Sequence, residues 1–171
     1  SKIVQAVGLT EITIEYSRPS IKNRNIFGSL VPFDKIWRTG ADESTKISFS
    51  DDVLINSATL NAGKYSLYTI PNKNYWDIIF YRDTDVWGVP RNWDEEKVVL
   101  KTRVDSYNLP ESINTETLQI SFDFLTNDSA VMAILWDNIY VPVRITVPTT
   151  KNIMLKISEV LNNNPTFSDY Y

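Results

Sequence analysis

Ile139-Tyr140-Val141-Pro142-Val143-Arg144-Ile145-Thr146-Val147 sets an aliphatic side chain at every second position. Successive side chains of a strand point to opposite faces, so this rhythm gives one apolar and one wetter face, as in a half-buried antiparallel strand. The rhythm also runs through residues 11–16, where Ile12, Ile14 and Tyr16 alternate with Glu11, Thr13 and Glu15. It returns in Leu118, Ile120, Phe122 and Phe124 against Gln119, Ser121 and Asp123. Tyr75-Trp76-Asp77-Ile78-Ile79-Phe80-Tyr81 and residues 131–136 are apolar on both faces, which predicts central strands covered on both sides. Pro142 has no N–H for a ladder, which predicts an edge or a bulge there.

Turn chemistry separates these runs. Asn61-Ala62-Gly63 precedes Lys64-Tyr65-Ser66-Leu67-Tyr68-Thr69-Ile70, and Pro71-Asn72-Lys73-Asn74 ends it. Thr126-Asn127-Asp128-Ser129 predicts a hairpin. Many short strands with few helix signals predict an all-β fold, an antiparallel β-sandwich with a jelly-roll arrangement as one way to connect it. That domain is expected over residues 1–147, and a helical segment over 148–171. In the latter, Thr149 or Thr150 is placed to cap a short amphipathic C-terminal helix. Ile153, Ile157, Val160 and Leu161 share one face, with Met154 beside them. Asn162-Asn163-Asn164-Pro165 ends it, and Pro165 suits the first turn of another helix. Two alternatives stand: the start of a helical module that continues beyond Tyr171, or a terminal helix packed on the sandwich.

Composition removes much of chemistry. The 171 residues contain no cysteine and no histidine, so a Ser-His-Asp triad, a cysteine nucleophile and a Cys/His zinc site are excluded. Net charge is −4 with no basic cluster, which argues against nucleic acid and anionic membrane surfaces as partners. No apolar run approaches the ~20 residues of a spanning helix, so no transmembrane segment is expected.

The densest set of polar groups is Trp37-Arg38-Thr39-Gly40-Ala41-Asp42-Glu43, between strands, where positioned polar groups often serve binding. As a site, Arg38 would grip a carboxylate, a phosphate or a sugar hydroxyl, while Asp42 and Glu43 accept hydrogen bonds or hold a cation. As architecture, Trp37 would plug the core, Arg38 would pair with Glu43 or Asp42, and Gly40 would supply a positive φ. The pairs Asp42-Glu43 and Asp51-Asp52 and the run Asp94-Glu95-Glu96 invite a glycosidase reading, which requires two acids ~5 to 9.5 Å apart across a sugar. Adjacent acids on a strand face opposite ways, so adjacency does not make a dyad. Asp51-Asp52 reads as a turn, and the Asp94 run as a solvated loop. Asp83, Asp85 and Asp94 are oxygen donors of the calcium type without the loop pattern of such sites, so no metal and no cofactor are expected.

Trp87 and Trp93 cluster with Tyr81 around Gly88, Pro90 and Arg91. Exposed, such rings stack on sugars or peptides; packed, they staple a long loop to the core. The irregular residues 18–38 carry Leu30, Val31, Phe33 and Ile36, which predicts a docked loop with one helical turn.

Several stretches together resemble the bacterial domain of unknown function numbered 2911. They are Tyr16-Ser17-Arg18-Pro19, Ile26-Phe27-Gly28-Ser29-Leu30-Val31-Pro32-Phe33 and Ile36-Trp37-Arg38-Thr39-Gly40-Ala41-Asp42-Glu43, followed by Ala62-Gly63-Lys64-Tyr65-Ser66-Leu67-Tyr68-Thr69-Ile70-Pro71, Trp76-Asp77-Ile78-Ile79-Phe80 and Trp87-Gly88. The likeness covers residues 3–147. It departs at Asp42, where that family usually carries Asn. The resemblance implies an exported protein of the periplasm or cell envelope, often with a lipoprotein signal. Longer relatives continue into helices resembling tetratricopeptide repeats. It implies no activity.

The expectation is therefore a non-catalytic binding module. Its glycan, peptide or protein ligand would meet Trp37, Arg38, Thr39, Asp42, Glu43, Trp87 and Trp93. The alternatives are a carboxylate-based, glycosidase-like hydrolase and a structural or scaffolding domain.

Overall fold

Alternating residues form strands wherever a turn allows the chain to reverse, and among the described residues they form twelve. A computed structural model describes residues 1–162. The strands are β1 (Lys2–Val7), β2 (Thr10–Glu15), β3 (Thr45–Phe49), β4 (Val53–Ile55), β5 (Ala58–Leu60) and β6 (Gly63–Pro71), then β7 (Tyr75–Tyr81), β8 (Val98–Asp105), β9 (Tyr107–Asn108), β10 (Thr115–Asp123), β11 (Ser129–Asp137) and β12 (Ile139–Thr146). One helix, α1 (Thr149–Asn162), follows them. The first sheet runs β1-β2-β3-β6-β7-β8 and the second β10-β11-β12-β4-β5, with β9 also beside β12. Every strand pair is antiparallel. The expected sandwich is what forms.

The inner faces meet through the alternating residues. Ile12, Ile14, Ile47, Leu67, Trp76, Ile78 and Phe80 come from the first sheet. Leu118, Ile120, Met132, Ile134, Trp136, Val141, Val143 and Ile145 come from the second. All fifteen are at most 2% exposed, and full burial stabilises each aliphatic or aromatic side chain by roughly 1.5–3 kcal/mol.

The strand apolar on both faces is covered on both. Trp76, Ile78 and Phe80 of β7 enter the main core, while Ile79 and Tyr81 join Tyr68 of β6 in a second cluster on the outer face. Residues 82–97 fold over that cluster and bring Val89 and Trp93 onto it. β11 is likewise central, between β10 and β12, with Ala133 buried on its outer face and Val131 and Leu135 half-buried.

Pro142 lies at neither an edge strand nor a bulge. It pairs with Ala133 in continuous register, and on its other side β9 meets only Ile139 and Tyr140 while β4 meets only Ile145 and Thr146. The gap between those short strands tolerates a residue without an N–H.

Residues 18–38 dock without a helical turn, through turns and single bridges such as Ser20 to Thr117 and Phe27 to Val31. Ile21, Ile26, Val31 and Trp37 are buried, whereas Leu30, expected as an anchor, is 47% exposed. Helix α1 forms where its periodicity predicts, but no residue of it is buried, and Ile153, Met154, Leu155, Ile157 and Leu161 are exposed. Neither threonine caps it: Thr149 Oγ1 donates to the Asn127 carbonyl at 2.6 Å, and the first helical acceptor is the Pro148 carbonyl. The second helix expected from Pro165 lies outside the described residues. No described helix is long and apolar enough to cross a membrane.

Candidate functional site

β3 begins at Thr45, opposite Leu67, but the edge of β6 runs on to Pro71, and residues 34–37 occupy it. Trp37 and Thr69 exchange backbone hydrogen bonds of 2.7 and 2.9 Å, and the Asp34 amide donates to the Pro71 carbonyl at 2.9 Å. Trp37 opposite Thr69 therefore points into the sandwich. There it stacks on Trp136 (centroids 5.8 Å apart, planes at 15°) and meets Trp76 and Phe27 edge-on. Its Nε1 donates to the Gly40 carbonyl at 3.1 Å, so the buried ring has its polar atom satisfied.

The return of the chain from Trp37 is held by threonines. Thr39 is fully buried, its hydroxyl is 3.1 Å from that of Thr69, and its carbonyl accepts from Thr45 Oγ1 at 2.7 Å. The positive φ expected at Gly40 falls instead on Thr39 (φ 56°) and Asp42 (φ 59°). Gly40 is required for another reason: a Cβ there would stand 3.0 Å from the Ser17 carbonyl oxygen and 3.2 Å from Thr45 Oγ1. Asp42 suits its own position because Asp and Asn tolerate the left-handed region better than other side chains.

Asp42 and Glu43 face solvent before the chain turns back inward at the buried Ser44 and Thr45. Glu43 pairs with Lys46 at 2.7 Å, not with Arg38. This hydrogen bond holds the Glu43 carboxyl below the usual range and raises the Lys46 ammonium. Glu43 also forms a backbone bridge to Trp87, a residue 72% exposed. The result is a groove of about 310 Å³ lined by Glu15, Ser17, Asp42, Glu43, Lys46 and Trp87. A second hollow of about 240 Å³ adjoins it, formed by Glu43, Lys46, Asp85, Val86 and Trp87.

The Trp87 loop is pinned from below. The Tyr68 hydroxyl donates to the Gly88 carbonyl at 3.1 Å, and the buried hydroxyls of Ser44 and Ser66 lie 2.8 Å apart. Burial pushes the Tyr68 phenol up, so it stays a donor. Trp93 is 4.5 Å from Tyr81 and 5.3 Å from Tyr68 between ring centroids, and its Nε1 donates to Glu95 at 2.9 Å. Trp93 thus staples the loop, while Trp87, six residues earlier, faces outward.

Arg38 is separate again. It makes no ion pair with Asp42 or Glu43, and its buried Nε has no hydrogen-bond partner. It lines a cavity of about 210 Å³ with Arg24, Trp37 and Trp136. The structure thus divides the seven candidates among three places: Asp42, Glu43 and Trp87 at the groove, Trp37, Arg38 and Thr39 around the Arg38 cavity and the turn beside it, and Trp93 under the loop. Sequence reasoning missed Glu15, Lys46, Arg24 and Trp136. Each meets the site only through sheet register or the docking of residues 18–38.

The acids do not gather. Asp83 pairs with Lys97 at 2.7 Å and Asp94 accepts from the Glu96 amide at 3.0 Å. Among the described residues no group of three or more acidic side chains converges as a metal site would. Asp94 begins a single 3-10 turn, Glu95–Lys97, rather than a plain loop.

Fold and groove define an antiparallel two-sheet sandwich with a solvent-open, tryptophan-edged polar groove on one flank. The chain belongs to the family described as Protein of unknown function (DUF2911), whose sequence profile matches residues 1–145. No curated protein and no solved structure shows significant similarity to it.

Proposed function

We propose that this protein is a non-catalytic binding module and that its ligand is a glycan lying in the Trp87 groove. The observation that carries this reading is Trp87 itself: a tryptophan 72% exposed, held by a backbone bridge beside the Glu43–Lys46 ion pair. A free aromatic face stacks on the apolar face of a sugar ring, while neighbouring carboxylates and an ammonium exchange hydrogen bonds with its hydroxyls. Asp42, Glu43, Lys46 and Glu15 supply those groups in the groove lining. A hydrolytic role gains no support from Glu43, because a general acid needs a raised pKa and Lys46 lowers this one.

The envelope location rests on the family resemblance and belongs to the same proposal. Cell fractionation of the natural host tests it, and recovery in the cytoplasmic fraction would contradict it. For the groove, neutral oligosaccharides and short peptides should be titrated while tryptophan emission is followed. Trp87 is the most exposed of the five tryptophans, so binding should shift the long-wavelength part of the emission, and Trp87→Ala should abolish the response. A response to peptides alone would replace the glycan. No response from either panel would remove the groove as a binding site and leave a scaffolding role in its place.

A further inference from the structure

The Arg38 cavity lies apart from the groove, and its chemistry is different. Its lining includes Arg24 and Arg38 and no carboxylate, in a chain whose net charge is −4. Its floor is the stacked Trp37–Trp136 pair, and both indole N–H groups are already engaged, Trp37 with the Gly40 carbonyl at 3.1 Å and Trp136 with the Glu116 carbonyl at 3.3 Å. The floor therefore offers apolar ring surface and no donor.

The walls bring two guanidinium groups to the cavity and no carboxylate. Arg38 Nε is buried without a hydrogen-bond partner, and no carboxylate among the described residues neutralises the guanidinium. Arg24 is anchored through two of its nitrogens, Nε to the Ile21 carbonyl at 2.9 Å and Nη2 to the Ser20 carbonyl at 2.6 Å. Those bonds fix its position but leave its charge uncompensated. Two like charges facing one cavity, one half-buried and unpaired, are costly unless something negative joins them. A planar guanidinium matches carboxylate and phosphate oxygens in geometry as well as charge.

We infer that this cavity is a binding site for a small oxyanion, a carboxylate or phosphate group, with Arg38 as its principal partner, Arg24 as its second and the tryptophan pair supporting an apolar body attached to it. The site is independent of the groove: neither Glu43, Lys46 nor Trp87 reaches it.

The test uses benzoate and inorganic phosphate as probes, with benzamide as the uncharged counterpart of benzoate. Trp37 and Trp136 indole N–H resonances are followed by NMR in the full chain. Benzoate is expected to shift both resonances saturably at millimolar concentration, phosphate to shift them less, and benzamide not at all. Arg38→Gln should weaken benzoate binding at least about tenfold, the size of one lost charged hydrogen bond. Arg24→Gln, at an exposed position that keeps the core intact, should weaken it less and still measurably. No shift with either anion, equal shifts with benzamide, or unchanged affinity in Arg24→Gln together with a folded Arg38→Gln would each overturn the inference. The Trp87→Ala variant should bind benzoate normally, so failure of the groove and failure of this cavity are read separately.

Discussion

Residues 37–40 and residues 42–43 are neighbours in sequence and opposites in environment. Three of the first four turn inward: Trp37 is 7% exposed, Thr39 is fully buried, and a Cβ on Gly40 would crowd the Ser17 carbonyl, while Arg38 between them lines its own cavity. The last two turn outward, with Glu43 paired to an adjacent lysine at the lip of a groove. The two loop tryptophans repeat the contrast, Trp93 packed on Tyr81 and Trp87 left bare. In both places a short run supplies the part that holds a loop to the sandwich and, within a few residues, the part that loop presents. A dense polar motif is thus not one site, and its members have to be assigned individually.

The largest effect should come from the inward half. Trp37→Ala empties space among Trp136, Trp76 and Phe27 and should cost about 3–5 kcal/mol in urea-denaturation stability. A loss below about 1 kcal/mol would break the contrast. Gly40→Ala forces a Cβ against the Ser17 carbonyl and should cost about 1–3 kcal/mol, read in the same way.

The two lowered carboxylates sharpen the comparison. Asp77 accepts from Arg103 at 2.7 and 3.1 Å, with its side chain only 10% exposed, and Arg103 lies 3.9 Å above the Tyr75 ring. Its hydrogen bond to Arg103, more than any other cause, lowers its pKa. Stability from this pair is therefore complete above the unfolded aspartate pKa of ~3.9 and fades as pH falls through the lower folded value. Asp77→Asn should cost about 1–2 kcal/mol at neutral pH, moderated because Arg103 is 58% exposed, and should flatten that acid limb of the stability curve. Glu43→Gln breaks a surface pair and should change stability least of these variants, while altering ligand response at the groove. A large stability loss there would mean the outward half also holds the fold.

The sandwich was legible because residues facing the core recur every second position in β2, β10 and β12. The outer strands of the first sheet were not: β1 and β8 are edges, exposed along much of their length, so their alternation carries less contrast. The two- and three-residue strands β4, β5 and β9 are too short to show a period at all. Docking of residues 18–38 is legible, and Val31 and Ile36 anchor it as expected, but the anchor Ile21 is not, because a distant partner selects it. The Ile21 amide donates to the Glu116 carbonyl at 2.8 Å, a contact no local pattern encodes. The same long-range register explains why Arg38 and Glu43 were visible as polar residues while Arg24 and Lys46 were not visible as their neighbours.

Chemical accessibility of the indoles tests the inward–outward division most directly. The folded protein should be treated with limiting N-bromosuccinimide, an indole oxidant, and the modified peptides located by mass spectrometry. Trp87 should be oxidised first, with Trp37, only 7% exposed, reacting much more slowly. Oxidation of Trp37 at a rate matching that of Trp87 would contradict the account.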